Sequence, residues 1–116
     1  LRIHGAVDSV DAFWTEVDIA VNPVRAGSGL KIKNVEALAH GRPLLTTSVG
    51  AQGLEEASPS GLRIADTPEA WIDALQDWAR DAEGRHITAA RGHDFAKLHF
   101  CEAAAFGPLV RYLEGV

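Results

Sequence analysis

Short apolar runs alternate with longer stretches of helical spacing along this chain. Residues 1–4 are a strand candidate closed by Gly5. Asp8 is placed to cap a helix, and Val10, Phe13 and Trp14 follow at helical spacing. Residues 18–22 form a compact run, Asp-Ile-Ala-Val-Asn, stopped by Pro23, as a strand buried in a sheet requires. The pattern then predicts a helix over 30–40, a strand over 43–47, a turn-rich segment over 48–53 and a last strand over 61–65. Thr67-Pro68-Glu69 reads as a helix start: a hydroxyl to cap, proline at the first position, an acid against the positive end of the dipole. Trp71, Leu75 and Trp78 are expected to line one face of that helix, and further helices are predicted over 85–97 and 102–113.

Strands alternating with helices through short connections predict an α/β fold, a Rossmann-like parallel sheet flanked by helices. Ligands of such sheets bind beyond the carboxyl ends of the strands. Residues 23–29 lie at one such end, just after the strand over 18–22. No internal repeat, low-complexity tract or interdomain linker interrupts the pattern.

Composition narrows the function more than the fold. With 116 residues the chain can bury the core of one small domain. Its formal net charge is −5 and it has no basic stripe, which argues against nucleic acid as a partner. No apolar run is long enough to span a bilayer. The single cysteine, Cys101, rules out an internal disulfide, fits a reducing compartment, and reads as a small buried apolar residue. The chain has no methionine, so it is expected to be a piece of a longer protein. His4, His40, His86, His93 and His99 lack the short paired spacing of a metal site, and no metal is expected. A Gly-x-Ser-x-Gly elbow, a phosphate-binding Walker loop and a Gly-x-Gly-x-x-Gly fingerprint are all missing.

The candidate chemistry lies between residues 25 and 36. A helix start offers unpaired N–H groups and a partial positive charge to an anion. Gly27 and Gly29 would let a phosphate approach the backbone, and Ser28 could add a hydroxyl. The alternative is that these glycines only permit a tight strand-to-helix turn. On a helical wheel Ile32, Val35 and Ala39 share one face, expected to pack on the sheet, and Glu36 lies at its rim. There an acid can accept hydrogen bonds from vicinal hydroxyls, or it can simply pair with Lys33 on the surface. Arg25, Lys31 and Lys33 are the candidate cations for a diphosphate. Thr46, Thr47 and Ser48 end a strand near the same edge and are expected to serve the turn rather than a ligand. Trp14, Trp71 and Trp78, among aliphatic neighbours, are expected in the core.

One stretch carries a family resemblance. Gly27-Ser28-Gly29-Leu30, Lys33, Val35-Glu36-Ala37-Leu38-Ala39, Gly41-Arg42-Pro43, Gly50 and Gly53-Leu54 resemble the donor-binding region of the retaining glycosyltransferases of family 4, also called group 1. His4-Gly5-Ala6-Val7 resembles the strand and loop before that motif, and the chain from Phe95 onward the family's C-terminal tail. The resemblance implies that residues 1–116 are a partial nucleotide-sugar-binding domain, the later portion of the C-terminal domain of a GT-B fold, with the acceptor domain elsewhere. It implies a nucleotide diphospho-sugar as donor substrate, no metal cofactor, and a glycan or lipid-linked acceptor. Glu36 matches the second acid of the family's Glu-x7-Glu motif, which holds the donor ribose. Gly29 and Leu30 match the positions whose N–H groups approach the diphosphate. Ser28 stands where the motif has its first acid, a departure that resembles a subgroup with a Gly-Ser-Gly or Gly-Thr-Gly turn, and it leaves the catalytic group unassigned. The family's basic pair for the diphosphate has no match here.

The expected activity is sugar transfer by the full-length parent, with the isolated chain inactive. Two rivals share the scaffold: a nucleotide-sugar 2-epimerase, and a degenerate half-domain without enzymatic activity. The expected compartment is the cytoplasm, with any peripheral attachment at the inner membrane face left to the missing N-terminal domain. A truncated sheet would expose an edge, so self-association of the chain is also expected.

Overall fold

The computed structural model describes residues 10–100. Its elements are α1 (Val10–Thr15), β1 (Ala20–Asn22), α2 (Ile32–Ala39), β2 (Leu44–Thr46), a 3₁₀ turn at Glu55–Ala57, β3 (Arg63–Ile64), α3 (Pro68–Arg80) and α4 (Ala82–His99). The strand candidate at 1–4, the Asp8 cap, Cys101 and the helix predicted over 102–113 lie outside the described residues.

The strands form a parallel sheet in the order β1-β2-β3. Ala20 pairs with Leu44 and Asn22 with Thr46, while Leu45 pairs with Arg63 and Thr46 with Ile64. This is the α/β layout the alternating pattern predicts: a Rossmann-like parallel sheet between two helical layers. The central strand shows the layering best, because successive side chains of a strand point to opposite faces. Leu44 joins Trp14, Val35, Ala37, Leu38 and Ala96 under α1, α2 and α4. Leu45 joins Ala74 and Trp78 under α3, with Ile19 and Trp71 at the margin. Both leucines are fully buried.

Three expectations need correction. The strand over 18–22 is not buried on all sides: β1 lies at an edge of the described sheet, and Val21 is 52% exposed. In α2 the packed face is not Ile32, Val35 and Ala39. Ile32 is 42% exposed and Ala39 is exposed, whereas Asn34, Val35, Ala37 and Leu38 are buried. The packed arc of α2 is rotated because the helix packs on α4 as well as on the sheet. In α3, Leu75 is exposed; Ala74 and Trp78 form the packed line, and Trp71 reaches back to donate its indole N–H to the Ala65 carbonyl at 2.8 Å.

The start of α4 differs too. The sequence suggested residue 85; the helix begins at Ala82. Asp81 closes α3 and caps α4 at once, its carboxylate accepting from Gly84 N at 2.9 Å. A Cβ at Gly84 would run into that carboxylate, so glycine at this position leaves room for the cap. Further along, Gly92 lets α4 touch the sheet layer. A Cβ there would collide with the Gly61 carbonyl and sit 2.8 Å from Leu38 Cδ2.

Candidate functional site

The segment from Pro23 to Lys31 links β1 to α2, and residues 25–30 are all exposed. Two glycines give it its course. Gly27 has φ +120° and Gly29 φ +82°, the left-handed region that side chains disfavour. A Cβ on Gly29 would meet no heavy atom within 4 Å. Its requirement for glycine is therefore conformational, and the backbone there stays open to an approaching group.

The loop delivers an uncapped helix. Lys31 holds the N-cap position of α2 in an extended conformation (φ −95°, ψ 112°), and its side chain makes no cap hydrogen bond. The ammonium turns back instead and donates to the Gly29 carbonyl at 2.9 Å. The first turn contains no acid. The N–H groups of Asn34 and Val35 both reach the Lys31 carbonyl, at 3.0 and 3.2 Å. Those of Ile32 and Lys33 have no intrahelical acceptor, as in the first turn of any α-helix. The start of α2 thus combines a partial positive charge with N–H donors that no side chain caps.

Strand ends and the turn after β2 surround the loop. The Thr46 hydroxyl donates to the Asn22 carbonyl at 2.8 Å, and the Thr47 hydroxyl donates to the Val24 carbonyl. Ser48 gives Asp66 two bonds, from its N–H at 2.9 Å and from its hydroxyl at 2.6 Å. All three side chains thus make hydrogen bonds around this turn. The two Ser48 bonds hold the Asp66 carboxyl below its ordinary range, because they favour the charged form. Leu30 leans over Gly53, where a Cβ would come within 2.9 Å of Leu30 Cδ1, so glycine at 53 lets the loop lie close to the turn.

Two hollows flank this region. One, of about 550 Å³, runs between α1, β1 and α2 and is lined by Phe13, Trp14, Asn22, Lys33 and Glu36 among others. The other, of about 660 Å³, lies at the carboxyl ends of the strands and is lined by Arg25, Thr47, Asp66, Glu69 and Trp71 among others. The structure brings Lys33 and Glu36 to one hollow and puts Arg25 in the other. Gly27, Ser28, Gly29 and Leu30 line neither and stand exposed on the loop. Glu36 is half-buried, and among the described residues no ion pair joins it to Lys33. Glu36 lines the hollow, and among the described residues no ion pair involves it. Its backbone carbonyl is engaged by His40, through the backbone N–H at 2.9 Å and with Nδ1 at 2.8 Å. No cluster of three or more His, Cys, Asp or Glu side chains suited to a metal occurs among the described residues.

Sequence reasoning missed Asn34 and Asp66. Asn34 is buried between the end of β1 and the turn after β2. Its only sequence signal is a polar residue three and four positions before the apolar Ala37 and Leu38, on the same helix face.

The sequence model of the family described as Glycosyl transferases group 1 matches residues 1–81. The chain belongs to the group 1 glycosyltransferases. The matched span includes the sheet, the 23–31 loop, α2 and α3, so every candidate residue above lies within the glycosyltransferase match. No curated protein and no solved structure matches the chain. Among the described residues of this glycosyltransferase domain, no helix is long and apolar enough to cross a membrane.

Proposed function

We propose that this glycosyltransferase chain is the donor-binding part of a longer parent, which transfers a sugar from a nucleotide diphospho-sugar to a glycan or lipid-linked acceptor. The observation that carries this reading is the uncapped start of α2, reached through two left-handed glycines and open to solvent. A diphosphate there would accept hydrogen bonds from backbone N–H groups and gain from the helix dipole. Glu36, which has no ion pair among the described residues, would accept hydrogen bonds from the ribose hydroxyls. Lys33, beside it in the same hollow, is the nearer cation; Arg25 lines the second hollow and would act only at the loop's other side.

During transfer the leaving diphosphate gains negative charge. Fixed N–H donors and a neighbouring ammonium stabilise that charge without having to reorganise. In the family that the motif resembles, the reaction retains configuration and needs no metal; both are part of the proposal. Ser28 supplies a hydroxyl where the family motif has an acid, so the contact to the transferred sugar would be a hydrogen bond rather than a charge.

Titration calorimetry of the parent protein with UDP and GDP tests the reading. At least one should bind, and Glu36→Ala should weaken it by about 1.5–3 kcal/mol, the range for hydrogen bonds to a charged group. Binding that ignores the mutation would remove Glu36 from the site. Absence of binding for both nucleotides would overturn the reading and favour a half-domain without enzymatic activity. Formation of an epimer with no acceptor present would favour the epimerase.

A further inference from the structure

The exposed loop is held by a buried amide to which the donor reading gives no role. Asn34 lies in the first turn of α2 and is 1% exposed. A buried amide without partners costs about 1–3 kcal/mol, so its bonds matter. Asn34 Nδ2 donates to the Gly50 carbonyl at 2.8 Å and lies 3.5 Å from Thr46 Oγ1. Asn34 Oδ1 accepts from Asn22 Nδ2 at 3.0 Å. The Thr46 hydroxyl donates to the Asn22 carbonyl, which closes a ring through the ends of β1 and β2 and the start of α2. Thr47 adds a second tie: its hydroxyl donates to the Val24 carbonyl and accepts from Gly50 N at 3.0 Å. Gly50 is required at this junction, because a Cβ would collide with the Thr46 hydroxyl and press on Val24 Cγ1 at 3.2 Å.

These bonds grip the loop where it begins, at 22–24, and where it ends, at Asn34. Between the two grips residues 25–30 are exposed, and the side-chain hydrogen bond within the span runs from Lys31 back to Gly29. The course of the backbone is therefore fixed mainly from outside the loop. A loop that must order itself around a ligand loses affinity to conformational entropy, and a preset one does not.

We propose that Asn34, acting through Asn22, Thr46 and Gly50, is the positioning residue that presets the anion-binding backbone of residues 27–33. The inference rests on the donor reading above and adds the group that fixes the diphosphate geometry. Asn34 is 1% exposed where it borders the hollow of Glu36, so its role is exerted through its hydrogen bonds.

The test compares UDP with uridine, or GDP with guanosine if GDP binds more tightly, on the parent protein. Asn34→Thr and Gly50→Ala attack the buried junction; Thr46→Val, which removes only the hydroxyl that ties β2 to the Asn22 carbonyl and lines neither hollow, is the milder variant that keeps the test available if the others fail to fold. Thermal melts set a temperature at which each protein is fully folded. Diphosphate affinity should fall about fivefold to thirtyfold in the junction variants, the scale of a few newly mobile backbone torsions, while nucleoside affinity changes less than about twofold. A residue that serves stability alone would leave both affinities unchanged under these conditions. Unchanged diphosphate affinity, or equal loss for diphosphate and nucleoside, would overturn the inference. If the wild type binds neither diphosphate, the donor reading fails and this inference fails with it. If the wild type binds, Glu36→Ala weakens it and the junction variants do not, the inference alone fails.

Discussion

The starts of α2 and α3 are built to opposite plans. At α3 the Thr67 hydroxyl accepts from Ala70 N at 3.1 Å, Pro68 occupies the first turn without an N–H to satisfy, and Glu69 places a carboxylate against the dipole. At α2 there is no side-chain cap, no proline and no acid, and the residue in the cap position is a lysine that folds away toward Gly29. Local energetics favour the first arrangement by about 0.5–2 kcal/mol per cap. The donor reading proposed above gives this bare end an anionic occupant.

The contrast needs a packed scaffold beneath both helices. Leu38→Ala, in the core under α2, should lower unfolding free energy by about 2–5 kcal/mol in denaturant titrations. A smaller loss, under about 1 kcal/mol, would mean that α2 is not anchored as described. Next comes the cap itself. Thr67→Ala should cost about 1 kcal/mol of stability and leave nucleotide affinity unchanged. An affinity change would mean that the α3 start also contributes to the site. The reverse experiment adds a cap to α2. Lys31→Ser should stabilise the protein by about 0.5 kcal/mol relative to Lys31→Ala.

The smallest effect concerns pH. The Asp66 pKa is depressed in the folded protein, so its Ser48 bonds contribute stability that is fully present above the ordinary value of 3.8 and is lost as pH falls through the folded value. Denaturant titrations of wild type and Asp66→Asn from pH 7 to about pH 3 should therefore converge toward the acid end. Curves that stay parallel would mean that the Ser48 bonds do not depend on the carboxylate charge.

The same two helices show what was legible in the sequence. The α3 start could be read residue by residue, because a cap, a proline and an acid act within one turn. The order of strands and helices was legible for a similar reason: each strand is a short apolar run ended by a breaker. The packed face of α2 was not, because Asn34 breaks the apolar pattern and is buried only through partners at Asn22 and Gly50, far away in sequence. Leu75 was misassigned because i+3 and i+4 positions both fit an apolar stripe, and only the sheet decides between Ala74 and Leu75. The α4 start was missed because Asp81 ends α3 and caps α4 at once, leaving no connecting segment between the two helices. At the site, the glycines and Glu36 were visible through the motif. The division of Arg25 from Lys33 and Glu36 into separate hollows needed the fold.

The most direct test of the central claim is the UDP and GDP affinity of the Lys31→Ser parent protein measured against Lys31→Ala. Both variants lose the ammonium, and only the serine can cap α2. If the bare helix start holds the diphosphate, the capped variant should bind at least about threefold more weakly than the alanine variant while being the more stable of the two. Equal affinities, with the stability gain present, would show that the diphosphate does not use the start of α2.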